Sequence, residues 1–193
     1  MRSLVILAGL CLACQPASAM PEQCYQALVK GSDVTGIETH CGYLKTSRKK
    51  AQQAYYYDRI GHAYFANYKH GSGTADPSLA KALESLNKSI AISAIIRRPS
   101  PFTHDLRGVV YLESKEPNQA RSNADKALQD FNTAISLDPN KATYYLHRGY
   151  AHSELRMPDA AWADFKKAKE LAPSDPAVQE AYEKLRKDFP ERQ

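Results

Sequence analysis

Apolar and polar positions recur along this chain with helical period, in paired stretches joined by short polar breaks. The clearest pair is Thr143 to Leu155 and Asp159 to Leu171. In its second stretch Ala161, Trp162, Phe165, Ala168 and Leu171 fall on one helical face. Arg156-Met157-Pro158 divides the two and puts proline in a first turn, while Pro173 follows the second. Lys166, Lys167 and Lys169 sit in the last turns, where cations favour the negative end of a helix dipole. Upstream the layout returns. Tyr57-Asp58-Arg59-Ile60-Gly61, Asp105-Leu106-Arg107-Gly108 and Leu146-His147-Arg148-Gly149 are three versions of one pattern, each followed by a second, alanine-rich stretch. Repetition at this scale predicts an all-α solenoid, in which each unit buries its apolar face only by stacking on a neighbour.

Tyr145, Gly149, Ala151, Ala161, Phe165, Ala168, Leu171 and Pro173 stand at the spacing of a tetratricopeptide repeat, which this segment resembles. It departs in carrying His152 where an aromatic usually packs and Arg148 where leucine is usual. Gly108, Tyr111, Ala127, Phe131, Ala134, Leu137 and Pro139 align in the preceding unit, where about seven extra residues near Ser114 to Asn123 lengthen a turn or a helix. Gly61, Tyr64, Ala82, Leu86, Ser89 and Ile92 align in the first unit; Lys69 to Thr74 reads as a loop and Asp76-Pro77 as the start of a fresh helix. The resemblance implies a right-handed helix–turn–helix solenoid of about three units, near 51–95, 101–139 and 142–175, within a domain spanning 51–188. A capping helix, 176–188, starts at Asp175-Pro176 with Val178, Ala181, Tyr182 and Leu185 on one stripe.

In such repeats the first helices of successive units line a groove that receives a peptide or a partner's helix. Carried over by position, the resemblance assigns Tyr55, Asp58, His62 and Phe65 to this groove from the first unit. It adds Phe102, Asp105, Val109 and Leu112 from the second, and Thr143, Leu146, Tyr150 and Ser153 from the third. Each quartet forms one helical stripe. The groove is aromatic and aliphatic with two carboxylates, and those aspartates would repel a partner's C-terminal carboxylate. The alternative is a groove filled by the chain's own ends.

One comparison between units points to ion pairs. Arg107 and Arg148 precede their glycines, and Asp130 and Asp164 precede their phenylalanines; in the first unit Ile60 and Ser85 replace both members. Acid and base come and go together, so each later unit is expected to pair them across its two helices.

The ends of the chain bear on its compartment. Arg2, the apolar run Leu4 to Ala13 and Ala17-Ser18-Ala19 have the layout of a signal peptide over 1–19, too short to span a bilayer. Leu12-Ala13 before Cys14 also leaves room for a lipid-anchored form. Residues 20–50 are expected to make an N-terminal cap. There Cys24 and Cys41 flank the turn signal Gly31-Ser32-Asp33, and a hairpin of two short helices would bring them together as a disulfide in an oxidising compartment. Without residues 1–19 the chain carries 25 basic and 21 acidic residues, a net charge of +4 that is no nucleic-acid signature. The densest basic cluster is Lys45, Arg48, Lys49 and Lys50, either a solvated helix face or a site for an acidic partner or an anionic membrane. No phosphate loop, serine elbow or zinc-spaced histidine pair is present, and Asp58 with His62 reads as a helix pair lacking a nucleophile. No metal, cofactor or small-molecule ligand is expected. The expectation is a periplasmic or secreted, non-enzymatic adaptor of a bacterial cell envelope that binds a protein or peptide. The alternative is an accessory subunit of an envelope enzyme or secretion complex, docked through its basic or convex face.

Overall fold

The computed structural model describes residues 21–30, 33–70, 77–114 and 118–188. The signal-like segment with Cys14, the glycines of the first-unit loop and Asp76 lie outside these residues, as does the Leu185 side chain. The described secondary structure is helical: α1 Glu22–Lys30, α2 Val34–Cys41, a 3-10 turn Gly42–Thr46, α3 Lys50–His70, α4 Ser78–Ile95, α5 Pro101–Glu113, α6 Ala120–Leu137, α7 Ala142–Glu154, α8 Pro158–Leu171 and α9 Pro176–Asp188.

Local chemistry sets many of these boundaries. Asp33 opens α2, its Oδ1 accepting from Gly36 N–H at 2.8 Å. Ser100 opens α5 in the same way, with Pro101 in the first turn. The α4 start falls at Ser78, after an N-cap Pro77 that has no side chain able to bond the helix. At the far ends of α4 and α7, Arg97 and Arg156 take the left-handed conformation, φ 54° and 58°, that usually selects glycine. There Arg98 N–H reaches Ser93 O and Met157 N–H reaches His152 O, both at 2.9 Å, closing the last turn of each helix. Four of the extra residues of the second unit lengthen its second helix: α6 has 18 residues where α8 has 14.

The helices pair as α3/α4, α5/α6 and α7/α8, and the pairs stack in chain order. Glycine sets how closely each pair packs. A Cβ placed on Gly108 would stand 2.6 Å from the Phe131 ring, one on Gly149 2.8 Å from Phe165, and one on Gly61 2.9 Å from Leu86. Small residues opposite, Ala82, Ala127 and Ala161, are buried in the same seams. At the C-terminal end α9 lays Val178 and Ala181 on α8 with Phe165 and Ala168, in the place a fourth first helix would occupy. At the other end Cys24 and Cys41 form a disulfide with Cα atoms 5.0 Å apart. The bridged cap buries Leu28, Ile37 and Leu44 against Tyr56, Ile60 and Ala63 of α3. Closing a loop of this size stabilises a fold by about 3 kcal/mol in chain-entropy terms.

Glycine-to-alanine substitution inside a helix normally adds up to about 1 kcal/mol of stability. Gly149→Ala is expected to do the reverse here, lowering stability by about 1–3 kcal/mol through overpacking against Phe165. Urea unfolding checks the sign, and Phe165→Leu in the same chain should recover part of the loss.

Candidate interaction groove

With one close-packed seam per unit, α3, α5 and α7 are left side by side on one face of the stack. Polar bonds tie them to one another. Thr103 Oγ1 of α5 donates to Asp58 Oδ1 of α3 at 2.6 Å. His147 Nδ1 of α7 lies 2.8 Å from Asp105 Oδ1 of α5. Further along, Lys69 of α3 pairs with Glu113 of α5.

A second set of bonds joins helices in threes. Arg107 Nε and Nη2 hold both oxygens of Asp130 at 2.7 and 2.8 Å, while Nη1 donates to Asn87 Oδ1 of the preceding unit at 2.7 Å. Arg148 repeats this, with 2.9 and 2.6 Å to Asp164 and 2.7 Å to Asn132. Each aspartate also meets a histidine at 2.9 Å, His104 on Asp130 and His152 on Asp164. His152, an oddity against the repeat pattern, thus belongs to the clamp. Ile60, at the matching place in the first unit, has no preceding unit to grip and packs instead against the cysteine cap.

These bonds decide which of the residues assigned to the groove face a guest. Asp105 is buried where α7 meets α5, and Leu146 is buried in the cluster that α7 forms with α8 and α9, so neither is open on the inner face. Asp58 is taken up by Thr103. Tyr150 sets its ring edge-on to Phe165, centroids 5.2 Å apart. Val109 and Leu112 rest on the cluster of Phe131 and Ala151. Thr143 and Ser153 are half-buried, and Ser153 Oγ donates to Gly149 O. Tyr55, His62 and Phe65 remain half-buried along α3. Phe102, 41% exposed, sits 6.2 Å from the His62 ring across the α3–α5 junction. Tyr55 packs on the cysteine-cap cluster and Phe65 on that of Leu86 and Val110, so the groove offers a strip of partly exposed rings along α3 that ends on the more open Phe102 of α5. Thr103, His147, Asn87 and Asn132 were not singled out from sequence. The two asparagines had a signal, since each directly follows the large residue facing a glycine.

The buried carboxylates carry a cost. Burial pushes the Asp58 carboxyl above its ordinary value, and the Thr103 hydrogen bond opposes this without cancelling it. Asp105 is raised for the same reason, against the opposing bond to His147. Among the described residues, no cluster of three His, Cys, Asp or Glu side chains is placed to hold a metal.

Residues 142–175 match the tetratricopeptide repeat family. No curated protein sequence matches the chain. Among solved structures it resembles the first tetratricopeptide domain of Spaghetti (RPAP3) bound to the HSP90 peptide SRMEEVD, at 20% identity and a TM-score of 0.58, over 72% of this chain and 95% of that one. The Arabidopsis OM64 tetratricopeptide domain is similar at 21% identity and a TM-score of 0.58, over 72% and 99%. A tetratricopeptide protein of Thermus thermophilus is similar at 21% and 0.59, over 79% and 72%. The shared property at this identity is the fold: a helix–turn–helix solenoid with one clear tetratricopeptide repeat.

A carboxyl raised by folding binds its proton more tightly in the native state, so its contribution to stability is largest at acid pH and is lost as pH rises through the folded value. Asp58→Asn keeps an oxygen for Thr103 and removes the buried charge. It should raise the melting temperature at neutral pH, and the gain should vanish near about pH 4, at the ordinary carboxylate value. Equal destabilisation at both pH values would contradict this.

Proposed function

We propose that this solenoid, which carries a tetratricopeptide repeat, is a non-enzymatic adaptor that receives an apolar segment of a partner protein along α3 and the start of α5. One observation carries the reading. After the inner carboxylates have been bonded to neighbouring helices, the inner face keeps partly exposed ring surface: the half-buried Tyr55, His62 and Phe65 and the exposed Phe102. Half-exposed aromatic rings on a rigid scaffold are the usual anchors of protein recognition. The fold is that of peptide-receiving scaffolds, and the Spaghetti domain holds an acidic peptide. Here the strip offers apolar area, so the guest is an uncharged, aromatic- or aliphatic-rich segment lying extended or helical. The signal-like 1–19 segment and the cysteine pair support placing the adaptor in an oxidising envelope compartment, bacterial in the reading adopted here.

Phe102 is the most direct probe, because its ring is open where Tyr150 also braces Phe165. With a photocrosslinking residue at position 102, one defined partner should be captured. Phe65→Ala or Tyr55→Ala should lower that capture at least tenfold with the melting temperature held within a few degrees. Capture that survives both changes would remove the groove from the account.

A further inference from the structure

The register of the first hairpin brings two carboxylate-free stretches to one edge. Ser89 Oγ donates to Ala54 O at 2.9 Å, and Gly61 abuts Ala82 and Leu86, so α3 and α4 run antiparallel with residues 54 and 89 opposite each other. The same register sets Lys50, the first residue of α3, level with Ser93 near the end of α4, while the cap turn before it folds back on α3, Lys45 O accepting from Gln53 Nε2 at 3.1 Å. No Asp or Glu occurs between Glu38 and Asp58, nor between Glu84 and Asp105. The two stretches contribute Arg48, Lys49, Lys50, Arg97 and Arg98 to this edge, all exposed. Among the described residues none of the five is in an ion pair. Lys45, on the cap turn, acts instead on Glu84, which is already bonded to Lys88.

Local rules argue against this arrangement as a stabilising one. Lys49 and Lys50 stand at the positive end of the dipole of α3, a helix with no acidic residue in its first turn. Arg97 occupies a left-handed position where glycine costs less. Among these cations Ile95 is an apolar group without cover, 70% exposed; Tyr43, 49% exposed, stands on the cap turn that leads into the basic stretch, held in place by buried Leu44 and the disulfide-linked Cys41. An acidic protein would find complementary charge here but no reason for an isoleucine raised into solvent. A bilayer supplies both partners, anionic headgroups for the cations and the acyl boundary for Ile95 and Tyr43.

We propose that this edge of the first unit is a peripheral docking surface for an anionic phospholipid membrane, leaving the groove free for its guest. The basis is independent of the groove reading, and so is the test. The purified chain is sedimented with phosphatidylcholine vesicles with and without phosphatidylglycerol, over a range of salt. Binding is expected with phosphatidylglycerol only, weakening as salt rises. Lys49→Glu/Lys50→Glu and Arg97→Glu/Arg98→Glu should each lower the partition coefficient at least twentyfold, at about fivefold per basic residue. Ile95→Ser should lower it severalfold, and circular dichroism should show unchanged melting for Ile95→Ser and Arg97→Glu/Arg98→Glu. Absence of binding at low salt, or binding indifferent to the charge reversals, would overturn the proposal. So would equally tight binding to soluble polyglutamate that ignores Ile95→Ser, which would assign the edge to an acidic polypeptide.

Discussion

Two guanidinium groups hold this molecule in register. Arg107 and Arg148 each spend two donors on the aspartate of their own second helix and a third on an asparagine of the unit before. A leucine at those places would pack one seam; the arginine fork joins three helices with charge-assisted, directional bonds. The guanidinium itself lies over a tyrosine ring, Tyr111 for Arg107 and Tyr145 for Arg148, with Cζ 5.9 and 5.5 Å from the ring centroids. Because the side chains keep partial contact with water, each carboxylate contact contributes about 1 kcal/mol at most. The greater effect is on geometry, since the bonds fix how far one hairpin slides along the next.

That geometry decides what the inner face can do. With successive hairpins fixed, the first helices approach closely enough for Thr103 to bond Asp58 and His147 to bond Asp105. Those bonds withdraw both carboxylates from any guest. What stays partly exposed is ring surface along α3 and the Phe102 ring, which is why the proposed guest is apolar. Charge gathers at the edge, where five basic residues stand without a carboxylate among them in sequence. The proposed polypeptide groove and the proposed anionic docking surface thus use separate parts of one small scaffold.

Much of the fold was legible because it is written three times. The glycines at 61, 108 and 149, each with an alanine and a large residue downstream, mark close helix pairs whose partners the structure puts opposite them. The concurrent loss of arginine and aspartate from the first unit pointed to the clamp, and Ile60 packed on the cysteine cap shows why that unit has no use for it. The groove was less legible. A periodic stripe tells which side of a helix a residue occupies, yet not how near the next helix comes. Asp105 shares the stripe of Phe102 and is nevertheless buried, because α7 closes over it, and Leu146 on the matching stripe of α7 is buried against α8 and α9. Contacts between the first helices of successive units, Thr103 with Asp58 and His147 with Asp105, follow no fixed sequence interval and left no signal to read.

The arginine clamp is tested most directly by a double-mutant cycle in urea between Arg148→Met and Asn132→Ala, which lie in different units. A coupling of about 0.5–1 kcal/mol is expected, with Arg148→Met also uncoupling Asp164→Ala from the rest of the stack. Additive losses, within the error of the unfolding curves, would mean that neighbouring hairpins stack by apolar contact alone and that the guanidinium does not set their register.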